Sequence, residues 1–249
     1  MHPSVSIRLP LSVVLALFLL ALQFSGPAAA VTCATRPPAA TVTVKISQNV
    51  PVSREERTYS ELTRMFKKPG AHPAGLYVGA IAVAQQARYL SVDDGREICV
   101  SIESVEVSLT LTDPKIYIGS ELADDDCARE SVWQHEILHY RIDQDVLVRF
   151  APSIQRMVEF AVKQTGGQVA KRQSDVERVG ERLARTIRQN LDRASQDMLS
   201  ERDRLHSRHD SRDEYARTGD VCSHGGRLGN SKPALCSSEP RLCTNLEQP

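Results

Sequence analysis

The stretch DDDCARESVWQHEILHYRIDQDVLVRF, residues 124–150, decides how this chain is read. Its three carboxylates, Asp124 to Asp126, make a favourable helix start, because they complement the exposed N–H groups and the positive end of the helix dipole. From Ile142 onward, apolar residues recur at steps of three and four: Val146, Phe150, Ile154 and Met157. That spacing predicts a long helix, with Pro152 as a candidate kink and Gly166-Gly167 as its end. His135 and His139 fall on the same stripe, so both should face the interior.

Downstream, Ser174-x-x-Glu177 reads as a capping box opening a second helix. Its stripe is Val176, Val179, Leu183, Ile187, Leu191, Ala194, Met198 and Leu205, and the intervening charges form a solvated face. The stripes 142–157 and 176–198 should face each other across a connection near 164–173. Upstream the period changes to two. TVTVKIS (41–47) and VEVSLTLT (105–112) alternate as half-buried strands do, and 76–83 and 116–118 are further strands. Between them, 59–66 reads as a short helix ended by Lys68-Pro69-Gly70. The expected fold is α+β: a β-rich N-terminal half followed by a long antiparallel helical hairpin.

Residues 1–30 carry Arg8, the apolar run 11–22 and a small-residue AAA at 28–30, the pattern of a signal peptide cleaved near Ala30. The run is too short to span a bilayer, which needs about 20 residues, and Thr32 before Cys33 argues against a lipid anchor. An exported protein, periplasmic or secreted, with no stable membrane anchor is therefore expected. Residues 31–220 should form one domain and 221–249 an irregular, cysteine-containing tail. With 31 basic and 31 acidic residues, the charge balance predicts no nucleic-acid partner. The six cysteines, an even count in an exported chain, predict three disulfides.

His135-Glu136-Ile137-Leu138-His139 is the H-E-x-x-H pattern of zinc hydrolases. Positions four apart on a helix point the same way, so His135 and His139 can hold one zinc ion. Zinc makes a water acidic enough to attack a carbonyl, and Glu136, beside the first ligand, can take that water's proton and return it to the leaving amine.

The order of strands, cysteines and motif resembles the predicted secreted zinc-dependent proteases of bacteria, a family mostly labelled as a domain of unknown function. The resemblance rests on CVSIESVEVSL (99–109), CARESVWQHEILHY (127–140) and the helix from Ser174, and covers about residues 41–216. It implies a metalloprotease-like fold, a peptide or protein substrate, and a Cys99–Cys127 disulfide, leaving Cys33 and the three tail cysteines for two further bonds. The family's late helix ends in a Tyr-Asp-x-x-Thr-x-His-Gly-like pattern. Here HDSRDEYA (209–216) keeps the aspartate as Asp210, with His209, Asp213 and Tyr215 where the tyrosine, threonine and histidine would stand.

A catalytic zinc site usually takes three protein ligands. Glu159 reaches it only if the chain reverses near Pro152; Asp143 is better placed as an outer partner of a ligand or as a solvated residue. Counting along an antiparallel hairpin sets Glu201 opposite the two histidines, whereas the resemblance implies Asp210, which is the choice taken here. His206 and His209 stay open as alternatives for the third ligand; His209 is assigned to the oxyanion of the intermediate, with His206 as the alternative there. The leading expectation is an exported zinc peptidase. Its competitors are a non-catalytic binding or assembly module with a structural metal, and a zinc amidase acting on cell-wall peptides.

Overall fold

A computed structural model describes residues 33, 39–66, 73–211, 213, 214, 216, 222 and 234–244. The expected signal peptide lies outside the described residues. One strand organises the sheet. β4 (Ile98–Gly119) pairs along its length with the antiparallel β3 (Gly75–Asp93). Along β4's other edge lie the parallel strands β1 (Thr41–Ser47) and β2 (Ser53–Arg57), and the short antiparallel β5 (Gln168–Ala170).

The alternation in 105–112 has the expected consequence: Val105, Val107, Leu109 and Leu111 are all buried on one face. Strands 105–112 and 116–118, expected to be separate, belong to the single strand β4, and 76–83 lengthens to all of β3. Asp113-Pro114 does not end β4, because it is absorbed as an irregularity. Asp113 takes φ 45°, and the pairing with β3 shifts register between Val78 and Ala80. On the other edge, β1 ends opposite Thr110 and β2 begins opposite Lys115, so the N–H that Pro114 lacks falls between two partners.

The helices are α1 (Tyr59–Phe66), α2 (Asp126–Thr165), α3 (Val176–His209) and α4 (Ala234–Ser238). Asp125 caps α2 by accepting from the Ala128 N–H at 2.9 Å. α2 runs unbroken through Pro152, which lies on its exposed side with Val148, the residue whose carbonyl it leaves without an intrahelical donor. Its inward stripe is Ile142, Val146, Leu147, Ala151, Ile154, Val158 and Ala161; Phe150 and Met157 sit on the flank, half-buried. All eight apolar residues expected on the α3 stripe are buried. The capping box at Ser174 does not form. Residues Gln173–Asp175 make a 3-10 turn instead, and no side chain caps α3.

α2 and α3 run antiparallel and share one core with the inner face of β4. The link between them, 166–175, is longer than a tight turn because it contributes β5 before α3 begins. That detour moves the register along α3 by about two turns from simple counting.

Three disulfides join Cys33 to Cys99, Cys127 to Cys222 and Cys236 to Cys243. The expected Cys99–Cys127 bond is therefore corrected: Cys99 sits at the start of β4, whereas α2 begins beyond its far end. Cys33–Cys99 instead pins the N-terminal segment beside β5, where a Cβ on Gly167 would lie 2.7 Å from the Cys33 carbonyl. The tail is not wholly irregular, since α4 and a 3-10 turn at Pro240–Cys243 frame its disulfide. No helix among the described residues is long and apolar enough to cross a membrane.

Cys127–Cys222 spans 95 residues and ties the start of α2 to the chain that follows α3. Loop closure of this length is worth about 4–5 kcal/mol in the chain-entropy model. Replacing both cysteines by serine should lower the unfolding free energy by about that amount in denaturant titrations. Peptide mapping without reductant should return the three pairings above; recovery of a 99–127 peptide pair would contradict them.

Candidate metal centre

His135 and His139 occupy successive turns of α2 on its buried face, and both side chains are almost fully enclosed. From the end of α3, Asp210 brings one carboxylate oxygen, Oδ1, to 3.3 Å from His135 Nε2 and 3.0 Å from His139 Nε2. His209 lies beside them, its ring stacked on that of His135 with centroids 4.1 Å apart. One ligand nitrogen from each of His135, His139 and His209 can be chosen so that all three lie within 4.8 Å of one another, a group that could hold a metal ion. The donors are imidazole nitrogen and carboxylate oxygen, the set that zinc accepts.

The candidate ligands Glu201, Glu159 and His206 do not reach this point. Glu201 pairs with Arg149 and Arg204, because the longer link slides it away from the histidines. Glu159 is exposed and accepts from Gln155 one turn earlier, as an unbroken α2 requires. His206 stands on the opposite edge of the His139 ring from Asp210, its Nδ1 2.7 Å from His139 Nδ1. Asp213 is exposed, and Tyr215 lies outside the described residues.

The oxyanion role expected of His209 meets a different geometry. Its Nε2–H donates to the His135 carbonyl at 2.9 Å, and among the described residues its buried Nδ1 has no hydrogen-bond partner. Burial, with the nearby charges of His135 and His139, pushes the His209 imidazolium pKa down to about 2. The ring is therefore neutral and offers a lone pair at Nδ1. A nitrogen of that kind could serve a metal ion as a ligand.

Behind the histidines lies a polar network. Asp143, one turn beyond His139, is completely buried. Its Oδ1 accepts from Arg202 Nε at 2.6 Å and faces His206 Nε2 at 2.8 Å; its Oδ2 accepts from Arg202 Nη2 at 3.0 Å and from the Tyr77 hydroxyl at 2.9 Å. Burial opposes ionisation of this carboxyl, but the bonds from His206 and Arg202 outweigh it and hold the pKa below the usual range. Arg202 Nη2 also donates to the Gly79 carbonyl of β3. Neither Arg202 nor Tyr77 was legible as part of a site. The available signal was that Arg202, His206 and His209 interrupt an apolar stripe at helical spacing, opposite a matching interruption in α2.

The network dictates proton positions. Asp143 is ionised, so His206 Nε2 carries the proton that faces it. Arg202 already balances the Asp143 charge and burial lowers the His206 pKa, which suits a neutral His206 whose Nδ1 accepts from His139 Nδ1–H. His139 Nε2 is then left with a lone pair pointing at an Asp210 oxygen 3.0 Å away. Two acceptors cannot stay at that distance without a cation between them. In the absence of metal that cation is a proton: burial works against it, but the contact with Asp210 and the charge of Glu136 raise the His139 pKa. A metal ion satisfies the same demand. The residues present therefore fit a bound cation.

Glu136 is buried beside the pair, and its Oε2 accepts from the Tyr77 N–H at 2.8 Å. Burial pushes its pKa up, partly offset by the two imidazoles. The strand can approach this carboxylate because residue 75 is glycine. A Cβ there would lie 2.4 Å from Val132 Cγ1 and 2.9 Å from Glu136 Oε1.

No known protein family, curated protein or solved structure matches the chain.

Two substitutions test this construction. Asp143→Ala leaves Arg202 without its buried counter-charge and should cost about 3–5 kcal/mol in denaturant unfolding. Gly75→Ala should cost about 1–3 kcal/mol through overpacking; it should also alter the environment of Glu136, seen as a shift of its carboxyl resonance in NMR spectra.

Proposed function

We propose that this protein is a zinc-dependent hydrolase acting on peptide bonds, exported to the periplasm or beyond. The observation that carries the reading is the Asp210 oxygen lying 3.3 and 3.0 Å from the Nε2 atoms of His135 and His139, close to the separation of about 3.3 Å between two ligands of one tetrahedral zinc ion. His135, His139 and Asp210 would hold the ion, leaving its fourth position to water. Zinc bound there would acidify a water and polarise a carbonyl. Glu136, the residue after His135, takes the proton of the attacking water and delivers it to the leaving amine. Its Tyr77 N–H bond holds the carboxylate in place for both transfers. The three disulfides suit an oxidising compartment. This is also what the resemblance to the secreted bacterial proteases implies.

A second reading draws on the fourth donor. If His135, His139, His209 and Asp210 all bind, a tetrahedral shell is closed and the metal is structural, as a binding or assembly module requires.

Purified protein should hold one equivalent of zinc, and His139→Ala should largely abolish binding. Glu136→Gln should keep zinc while peptide hydrolysis falls by at least about 100-fold, the lower range for loss of a general base. Zinc retained with no hydrolysis of any peptide by the wild type would favour the structural module. Wild-type protein without metal after chelator-free purification would end the zinc reading.

A further inference from the structure

The residue behind the metal centre is a histidine bonded on both nitrogens. His206 is largely buried, with 17% of its side chain exposed. Its ring plane lies within 10° of the His139 plane, and the Nδ1 atoms approach to 2.7 Å, as an in-plane N–H···N bond between two imidazoles requires. Its Nε2 meets Asp143 at 2.8 Å, and Arg202 and the Tyr77 hydroxyl fix that carboxylate from two other directions. Tyr77 also lies near-parallel to both rings, 7° from His139 and 17° from His206, with its centroid 6.3 Å from each.

We propose that His206 is a positioning residue: held by Asp143, it accepts the Nδ1–H of His139, and so fixes the tautomer that presents the His139 Nε2 lone pair to the metal. The inference rests on the metal reading of the site and extends it to a residue that touches neither metal nor substrate. A ligating histidine commonly gives its second N–H to a carboxylate or carbonyl, which sets the ring's orientation and raises its basicity. Here a second imidazole is interposed. The carboxylate's hold passes through His206 as Asp143 ← H–Nε2 of His206, whose Nδ1 accepts H–Nδ1 of His139. Only one direction of hydrogen bonding satisfies this chain. Arg202 and Tyr77 already donate to Asp143, so reversing it would turn a lone pair of His206 toward a carboxylate. A side chain at 206 that donates at one end and accepts at the other should do the same work. Glutamine meets that requirement, and alanine does not.

The test is zinc affinity by chelator competition, together with long-range ¹H–¹⁵N NMR of the zinc-loaded wild type. The spectrum should show His139 protonated at Nδ1 and ligating through Nε2. His206→Ala should weaken zinc binding by about 10- to 100-fold, the usual cost of losing an outer partner of a ligand. His206→Gln should recover most of that loss. Circular dichroism checks that each variant folds; should His206→Ala not fold, the wild-type spectrum and the glutamine variant decide. Wild-type affinity in His206→Ala, no recovery in His206→Gln, or a proton on His139 Nε2 in the zinc complex would each overturn the positioning role while leaving the zinc site standing. A wild type that binds no zinc would remove both.

Discussion

Asp143 is the constraint on which the arrangement depends. It is a carboxylate with no exposed surface, carried by α2, and its partners come from α3 and β3. A buried ion pair of this kind adds little net stability, because desolvating both charges offsets most of their attraction. Its effect is on uniqueness. Sliding α3 by one turn would leave Asp143 without Arg202 and His206, at a cost of several kcal/mol for an uncompensated buried charge. The apolar stripes of α2 and α3 would tolerate such a slide far better, since one leucine packs much like another. The polar contact therefore chooses the register, and the register chooses which α3 residues reach His135 and His139. With Arg202 on Asp143, Asp210 arrives at the histidines and Glu201 does not.

The same logic separates what was legible in the sequence from what was not. Elements with a strong period were readable: the α3 stripe from Val176 to Leu205, the alternation of Val105 to Leu111, and the helix at 59–66. Periodicity reports which face is buried but not against what. Hence β3 and β4 read as several shorter strands, and β5, three residues long, left no pattern. The Cys99–Cys127 pairing rested on the resemblance alone, and the structure pairs both cysteines elsewhere. Cys99 and Cys127 flank β4 in sequence, but a 22-residue strand carries its two ends on the order of 70 Å of extended chain apart.

In the candidate site, the readable part is the part made by one helix. Spacing of four places His135, His139 and Asp143 on one face of α2, and no tertiary information is needed for that. Residues supplied by α3 depend on the register, and counting residues through the link missed it by about two turns because β5 takes chain out of the connection. Asp210 was reached by pattern resemblance, not by counting. Tyr77 was out of reach for a different reason. One of its contributions is a backbone N–H, which any residue supplies, and the other is a hydroxyl that meets Asp143 only once β3 is docked.

The position of the cluster at the end of α3 has an electrostatic consequence of its own. His209 is the last residue of α3 and Asp210 its C-cap, so the donors sit where the helix's unsatisfied carbonyls concentrate partial negative charge. A cation there is stabilised by about 0.3–1 kcal/mol, more when partly buried. α2 presents its positive end at Asp126, more than two turns before His135, beyond the range over which that effect acts. The two helix ends therefore do not cancel at the site. The Asp210 carboxylate and the imidazoles of His135, His139 and His209 gather at that same helix end, inside a chain whose formal charge is zero. Arg202 stands behind Asp143, on the far side of His139 and His206 from Asp210, so its charge is spent on the network rather than on the donors. The fold thus keeps the Asp143–Arg202 support apart from the donors gathered at the end of α3.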